Sequence, residues 1–289
     1  MQILITGAGG QLGRELRRAL AGHDVTALAR AQLDVCDAEA VRAAVERARP
    51  EAVVHCAALT DTTRCEREPE LAVAVNAGGA ENVARACSAA GARLVAISTN
   101  EVFDGETGAP YAEDDEPSAV NAYGRSKLEG ERRARAAHAD TLVVRVAWLY
   151  GEGEANFIEK VRAAARAGRT LRFVTDEVAT PTADADLATA LRALLERQAP
   201  AGVYHLTNEG EASRYDWAAE ILRLSRIDAP VERVTTAELR AGGYAGPRKP
   251  RYSVLANTRA AALGVTLRPW QEALAAFVAR ERARVPADE

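Results

Sequence analysis

Through the first half of the chain, short apolar runs alternate with longer, alanine-rich stretches whose apolar positions recur at helical spacing. Residues 2–6, 24–28, 52–56, 93–97 and 142–147 read as strands, and residues 14–21, 38–49, 71–90 and 123–137 as the helices between them. A helix between two strands carries the chain back to the same end of a sheet, which makes the strands parallel neighbours. The pattern therefore predicts an α/β fold, a doubly wound parallel sheet covered on both faces. Beyond residue 150 the alternation loosens. Residues 157–167 and 185–198 read as helices, and 203–206 as a strand that rejoins the sheet. Ser213 and Asp216 have capping-box spacing before a helix at 217–224, and residues 242–247 form a loop by composition. The expected organisation is a dinucleotide-binding domain over residues 1–150, with 184–206 returning to it, and a smaller, discontinuous C-terminal substrate lobe within 151–289. The last residues, 286–289, are expected to fray.

The turn after the first strand carries chemistry. Gly7, Gly10 and Gly13, with Gln11 and Leu12 inside the turn, lie between a strand and a helix. Glycine there permits a tight turn, close approach of backbone to a diphosphate, and close packing of helix on strand, while the first N–H groups of the helix face the phosphates. In this context the triplet marks a Rossmann-type dinucleotide site. No carboxylate ends the second strand. Arg30 follows it instead, and a guanidinium can pair with a 2′-phosphate, so NADPH is the expected cofactor, with NADH left open.

Tyr123 and Lys127, four residues apart on a predicted helix, share one face. A cation beside a phenol favours the phenolate and lowers a pKa otherwise near ~10, which makes the tyrosine a usable general acid or base. Ligands of such sheets bind beyond the carboxyl ends of the strands, where Ser98 and Thr99 fall.

Composition narrows the setting. A chain of 289 residues that is 48% hydrophobic can bury a large core. A formal charge of -4 argues against general affinity for nucleic acid or acidic membranes, and Arg132, Arg133 and Arg135 read as a solvated helix face. No run approaches the ~20 apolar residues of a membrane span, and the first residues enter a strand without a signal-type segment, so a cytoplasmic location is expected. Cys36, Cys56, Cys65 and Cys87 have neither CxxC spacing nor a His cluster. They read as reduced and structural, and no metal site is expected.

Further segments stand out: Gly10-Gln11-Leu12-Gly13-Arg14-Glu15-Leu16, His55-Cys56-Ala57-Ala58, Val75-Asn76-Ala77, Phe103-Asp104-Gly105, Arg145-Val146-Ala147-Trp148-Leu149-Tyr150-Gly151 and Lys249-Pro250-Arg251-Tyr252-Ser253-Val254-Leu255. With Ser98-Thr99 and the Tyr123–Lys127 pair, they make nearly the whole chain resemble the extended short-chain dehydrogenase/reductase superfamily, and within it the dTDP-4-dehydrorhamnose reductases. The resemblance implies NADPH-dependent reduction of the C4 keto group of a nucleotide-linked 6-deoxysugar, in the first instance dTDP-4-dehydro-L-rhamnose to dTDP-L-rhamnose. It implies a catalytic trio in which Tyr123 gives a proton, Thr99 a hydrogen bond, and Lys127 a hold on the nicotinamide ribose. Cofactor contacts are implied for Gly7, Gly10, Gln11, Leu12, Gly13, Arg30, Asp34, Val35, Ala57, Ala58, Asn76, Tyr123 and Lys127. Substrate contacts are implied for Thr99, Asn100, Glu101, Trp148, Lys249 and Arg251, with the last two meeting the diphosphate. A homodimer is left open.

Two positions depart from the pattern. Lys249 stands where the family motif has Arg, and Asn100-Glu101 follows Ser-Thr where these reductases usually have Asp-Tyr. Nucleotide-sugar dehydratases carry Thr-Asp-Glu there, but a neutral Asn100 cannot protonate a departing hydroxyl. A dehydratase or epimerase is therefore the enzymatic alternative, opposed by Asn100, the Gln-Leu turn and the short chain. A non-catalytic NADP-binding regulatory subunit is the other, opposed by the intact Thr99, Tyr123 and Lys127.

Overall fold

The computed structural model describes residues 1–153 and 156–284, so the expected fraying of 286–289 lies outside the described residues. Six strands make one parallel sheet: β1 (Gln2–Thr6), β2 (Asp24–Leu28), β3 (Ala52–His55), β4 (Arg93–Thr99), β5 (Thr141–Val146) and β6 (Gly202–His205). Their spatial order is β6-β5-β4-β3-β1-β2, and every pairing is parallel. The chain steps from β1 outward to β2 and then crosses to the other side of β1 for β3, leaving a crevice at the carboxyl ends of β1 and β3.

The longer helices are α1 (Gln11–Ala19), α2 (Ala38–Ala48), α3 (Gly79–Ala90), α4 (Ala122–Ala137), α5 (Phe157–Arg166), α6 (Asp184–Glu196), α7 (Arg214–Ser225) and α8 (Trp270–Arg284). On one face of the sheet Ile3, Ile5, Leu142 and Val144 pack with Leu16 of α1 and Leu187, Leu191 and Leu194 of α6. On the other face Leu4, Val53 and Leu94 pack with Val41 and Val45 of α2 and Val83 and Cys87 of α3. Burial on both faces is why these strands read as continuous apolar runs.

Residues 71–90, expected as one helix, are divided. A short helix, Pro69–Val73, leads into a π-helical turn, Ala74–Gly78, before α3 begins. The turn brings Asn76 inward, and a β-carbon on Gly130 of α4 would overlap the Asn76 carbonyl oxygen, so the two backbones touch there. Wider π turns of this kind recur at functional sites.

After β5 the chain forms three short strand pairs: Leu149–Tyr150 with Thr182–Ala183, Leu171–Val174 with Val231–Val234, and Val178–Ala179 with Ala212–Ser213. With α5, α7 and α8 they enclose a third apolar cluster around Tyr150, Ile158, Trp217, Ile221, Leu274 and Phe277. Ser213 and Asp216 form a full capping box, and α7 starts directly after the cap, at Arg214. All four cysteines are free, and no described helix is long and apolar enough to cross a membrane.

Candidate active site

A cleft of about 650 Å³ lies against the glycine turn and the ends of β4 and β5. Its walls bring together Gly7, Gly10, Gln11, Leu12, Gly13 and Ala58 with Thr99, Asn100, Glu101, Tyr123, Lys127, Trp148 and Lys249. That volume suits a cofactor-sized ligand.

The glycine turn is packed backbone against backbone. Gly7 has a φ of 70°, and a β-carbon on it would stand 2.5 Å from the Ala57 nitrogen. On Gly13 a β-carbon would stand 2.6 Å from the Gly7 carbonyl oxygen. The N-cap of α1, Gly10, offers no side-chain acceptor, and the buried Gln11 Nε2 has no partner. Free N–H groups at an uncapped helix start fit the diphosphate of a dinucleotide.

Tyr123 lies in the first turn of α4, whose N-cap Asn121 accepts from the Gly124 N–H at 2.8 Å. Thr99, the last residue of β4, accepts from the Glu101 N–H at 3.2 Å and donates to Asn100 Oδ1 at 3.3 Å. One turn beyond Tyr123, the buried Lys127 Nζ donates to the Ile97 carbonyl at 2.7 Å. Burial pushes Lys127 down to about 8, against the opposing pull of the Glu131 carboxylate. Burial first, and then the Glu101 charge, push the Tyr123 phenol above its usual range, with the Thr99 hydroxyl working the other way. The expected lowering of the tyrosine pKa by Lys127 is thus corrected. The lysine is turned onto the β4 backbone, and the charge acting on the phenol is negative. A phenol held protonated suits a proton donor.

Glu101 is buried and fully engaged. Lys249 Nζ donates to its two oxygens at 2.8 and 3.0 Å, and Asn121 Nδ2 donates to Oε2 at 2.7 Å. Asn100 Nδ2 donates to Ser253 Oγ at 2.7 Å. The departure from the family pattern therefore sits in one network that ties residues 248–253 to the end of β4.

Several of the expected residues do not line this cleft. Asn76 does not reach the cleft: its amide donates to the Leu59 carbonyl at 3.0 Å and to Ser126 Oγ at 2.9 Å, and accepts from the Leu59 N–H at 2.7 Å. With both donors used, it braces the loop after β3 against α4. Arg251 is exposed outside the cleft, its carbonyl accepting from the Val178 N–H at 2.7 Å and its nitrogen close under Gly105. Arg30 and Asp34 are exposed beyond β2, and Val35 is buried against Gly79. Ala57 contributes the backbone that meets Gly7.

Among the cleft residues that were not expected, Arg214 and Asp184 stand out. The Arg214 guanidinium lies 3.6 Å from the Trp148 ring centroid, and burial pushes it down to about 10. An arginine in the first turn of a helix runs against the helix dipole, a signal legible in the sequence beside the Ser213 cap. Asp184 is 1% exposed, and neither carboxylate oxygen has a hydrogen-bond partner. Burial first, and then the nearby Glu15 charge, hold it well above the carboxylate range.

A glycine cradle at the crossover of a parallel sheet, facing a tyrosine and lysine one turn apart on α4, defines an NAD(P)-dependent oxidoreductase of the extended short-chain dehydrogenase/reductase type. The family described as RmlD substrate binding domain matches residues 1–283, and the chain belongs to it. A dTDP-4-dehydrorhamnose reductase of Streptomyces griseus is 44% identical over 279 residues, covering 94% of this chain and 91% of that protein. The crystal structure of a dTDP-4-dehydrorhamnose reductase from Clostridium acetobutylicum matches with a TM-score of 0.93 at 38% identity, over 98% of this chain and 100% of that one. A dTDP-4-dehydrorhamnose reductase from Bacillus anthracis, in complex with NADP, matches with a TM-score of 0.91 at 34% identity, over 96% of this chain and 98% of that one.

Proposed function

We propose that this protein uses NADPH to reduce the C4 keto group of a nucleotide-linked 6-deoxysugar, converting dTDP-4-dehydro-L-rhamnose to dTDP-L-rhamnose. The observation that carries the reading is the convergence of Thr99, Tyr123 and Lys127 with the glycine turn in one cleft. The names of the relatives, and the NADP held by one of them, supply the substrate and cofactor class.

Gly7, Gly10, Gln11, Leu12 and Gly13 hold the cofactor diphosphate, and Lys127 holds its nicotinamide ribose. Bound there, NADPH supplies the hydride. As negative charge grows on the substrate carbonyl oxygen, the Thr99 hydroxyl turns from Asn100 Oδ1 to donate a hydrogen bond to it and Tyr123 gives up its proton. The raised tyrosine pKa keeps that proton in place at neutral pH until the oxygen becomes basic enough to take it. Residues 1–150, joined by 184–206, carry the cofactor in this reading, and the remainder of 151–289 encloses the sugar nucleotide. Asn100, bonded to Ser253, offers no acid for a dehydration.

The test is purified protein with NADPH and a panel of nucleotide 4-ketosugars, followed by loss of absorbance at the nicotinamide band and by NMR of the product. Oxidation of NADPH with formation of the 4-hydroxy sugar is expected. Loss of water from a nucleotide hexose, or no turnover with any 4-ketosugar, would reject the proposal.

A further inference from the structure

Three aromatic rings form a layer in the cleft. Trp148 stacks on Trp217 with centroids 5.6 Å apart, and Phe157 stacks on Trp217 at 4.5 Å. The Arg214 guanidinium rests on this layer, 3.6 Å from Trp148, 5.3 Å from Phe157 and 5.7 Å from Trp217. Glu177 and Glu101 act on it through space. Among the described residues, however, no side chain or carbonyl accepts a hydrogen bond from it or forms an ion pair with it. The other half-buried or buried arginines are committed, as Arg145 is to Glu131 and Arg162 to Glu159 and Glu281. A cation drawn out of water without a fixed acceptor is unfavourable unless a ligand completes it. Lys160 of α5, an exposed residue, lines the same cleft and has no hydrogen-bond or ion-pair partner among the described residues. By contrast, Lys249 is occupied by Glu101, and Arg251 lies outside.

We infer that Arg214, supported by Lys160, binds the diphosphate of the sugar nucleotide, the part that Lys249 and Arg251 were expected to play. This rests on the sugar-nucleotide reading above. The cofactor diphosphate has the glycine turn, which leaves the second diphosphate to a second cationic group. The planar fork of a guanidinium held over an indole can present two parallel N–H donors to phosphate oxygens, and an ammonium cannot.

The test is calorimetric binding of dTDP and of thymidine to NADP-saturated wild type, Arg214→Gln and Arg214→Lys. Charge-assisted bonds of this kind predict that Arg214→Gln weakens dTDP binding by about 10- to 100-fold, leaving thymidine and NADPH binding unchanged. Arg214→Lys should fall between, and KM for the sugar nucleotide should rise more than kcat falls. Should Arg214→Gln fail to fold, judged by circular dichroism and NADPH binding, Arg214→Lys decides alone. Wild-type affinity for dTDP in the folded variants overturns the assignment of Arg214 while leaving the reductase reading intact. A wild type that binds NADPH but not dTDP overturns both.

Discussion

Gly124 and Glu101 meet backbone to backbone: a β-carbon on Gly124 would overlap the Glu101 carbonyl oxygen. The helix that carries Tyr123 is thereby seated on the turn that follows Thr99, so Tyr123 and Thr99 are fixed relative to each other by the main chain. Gly124→Ala must push them apart. Overpacking of this kind costs about 1–3 kcal/mol, and a displacement near 1 Å at a reacting centre can cost about 10²-fold in rate. A lower denaturant midpoint together with lower kcat is expected, and an unchanged kcat in the folded variant would show that this contact does not position Tyr123.

Tyr123→Phe removes one hydroxyl and little volume. Loss of a positioned acid typically lowers turnover by about 10²- to 10⁴-fold. NADPH binding, followed by fluorescence, should persist. Near-normal turnover in the folded protein would remove Tyr123 from the proton transfer.

Lys127 brings a pH dependence. Burial lowers its pKa to about 8, so it is charged below that pH and neutral above it. Under the proposed hold of Lys127 on the cofactor ribose, the charged form should bind most strongly, so kcat/KM for NADPH should fall as pH rises through about 8. An unperturbed lysine would hold its charge to about 10.4. A pH profile flat to pH 9.5 would contradict this.

Asp184 affects stability in a predictable direction. Its folded pKa is raised, whereas an unfolded chain releases the proton near ~3.9. Between those two values the unfolded state holds fewer protons, so stability falls as pH rises through the window. Asp184→Asn keeps the shape and removes the charge. Its melting temperature should match that of the wild type near pH 4 and exceed it at pH 8, as scanning calorimetry would show. Equal melting temperatures at both pH values would mean that Asp184 carries no such penalty.

Much of this architecture was legible because its signals are local. The strand at residues 2–6, the glycine turn and the four-residue interval from Tyr123 to Lys127 each lie within a single element and its neighbours. What escaped depends on contacts made across the chain. Lys249 and Glu101 are separated by 148 positions, and only folding shows that the lysine is occupied by a carboxylate instead of facing a phosphate. Asn76 was legible as a motif residue, but not as a brace, since Leu59 and Ser126 reach it from two other elements. The strand Val231–Val234 was missed because its central Glu232 and Arg233 are exposed and break the apolar run.

The network around Glu101 also makes the end of β4 depend on residues far along the chain. Asn121 donates to the Arg248 carbonyl, Lys249 pairs with Glu101 and Ser253 accepts from Asn100, so one late segment closes over the turn after β4. A nascent chain that has emerged only through β6 already contains the glycine turn and Tyr123, but none of those three partners. The end of β4 therefore reaches its final arrangement only once residues 248–253 have been made and have folded back onto it.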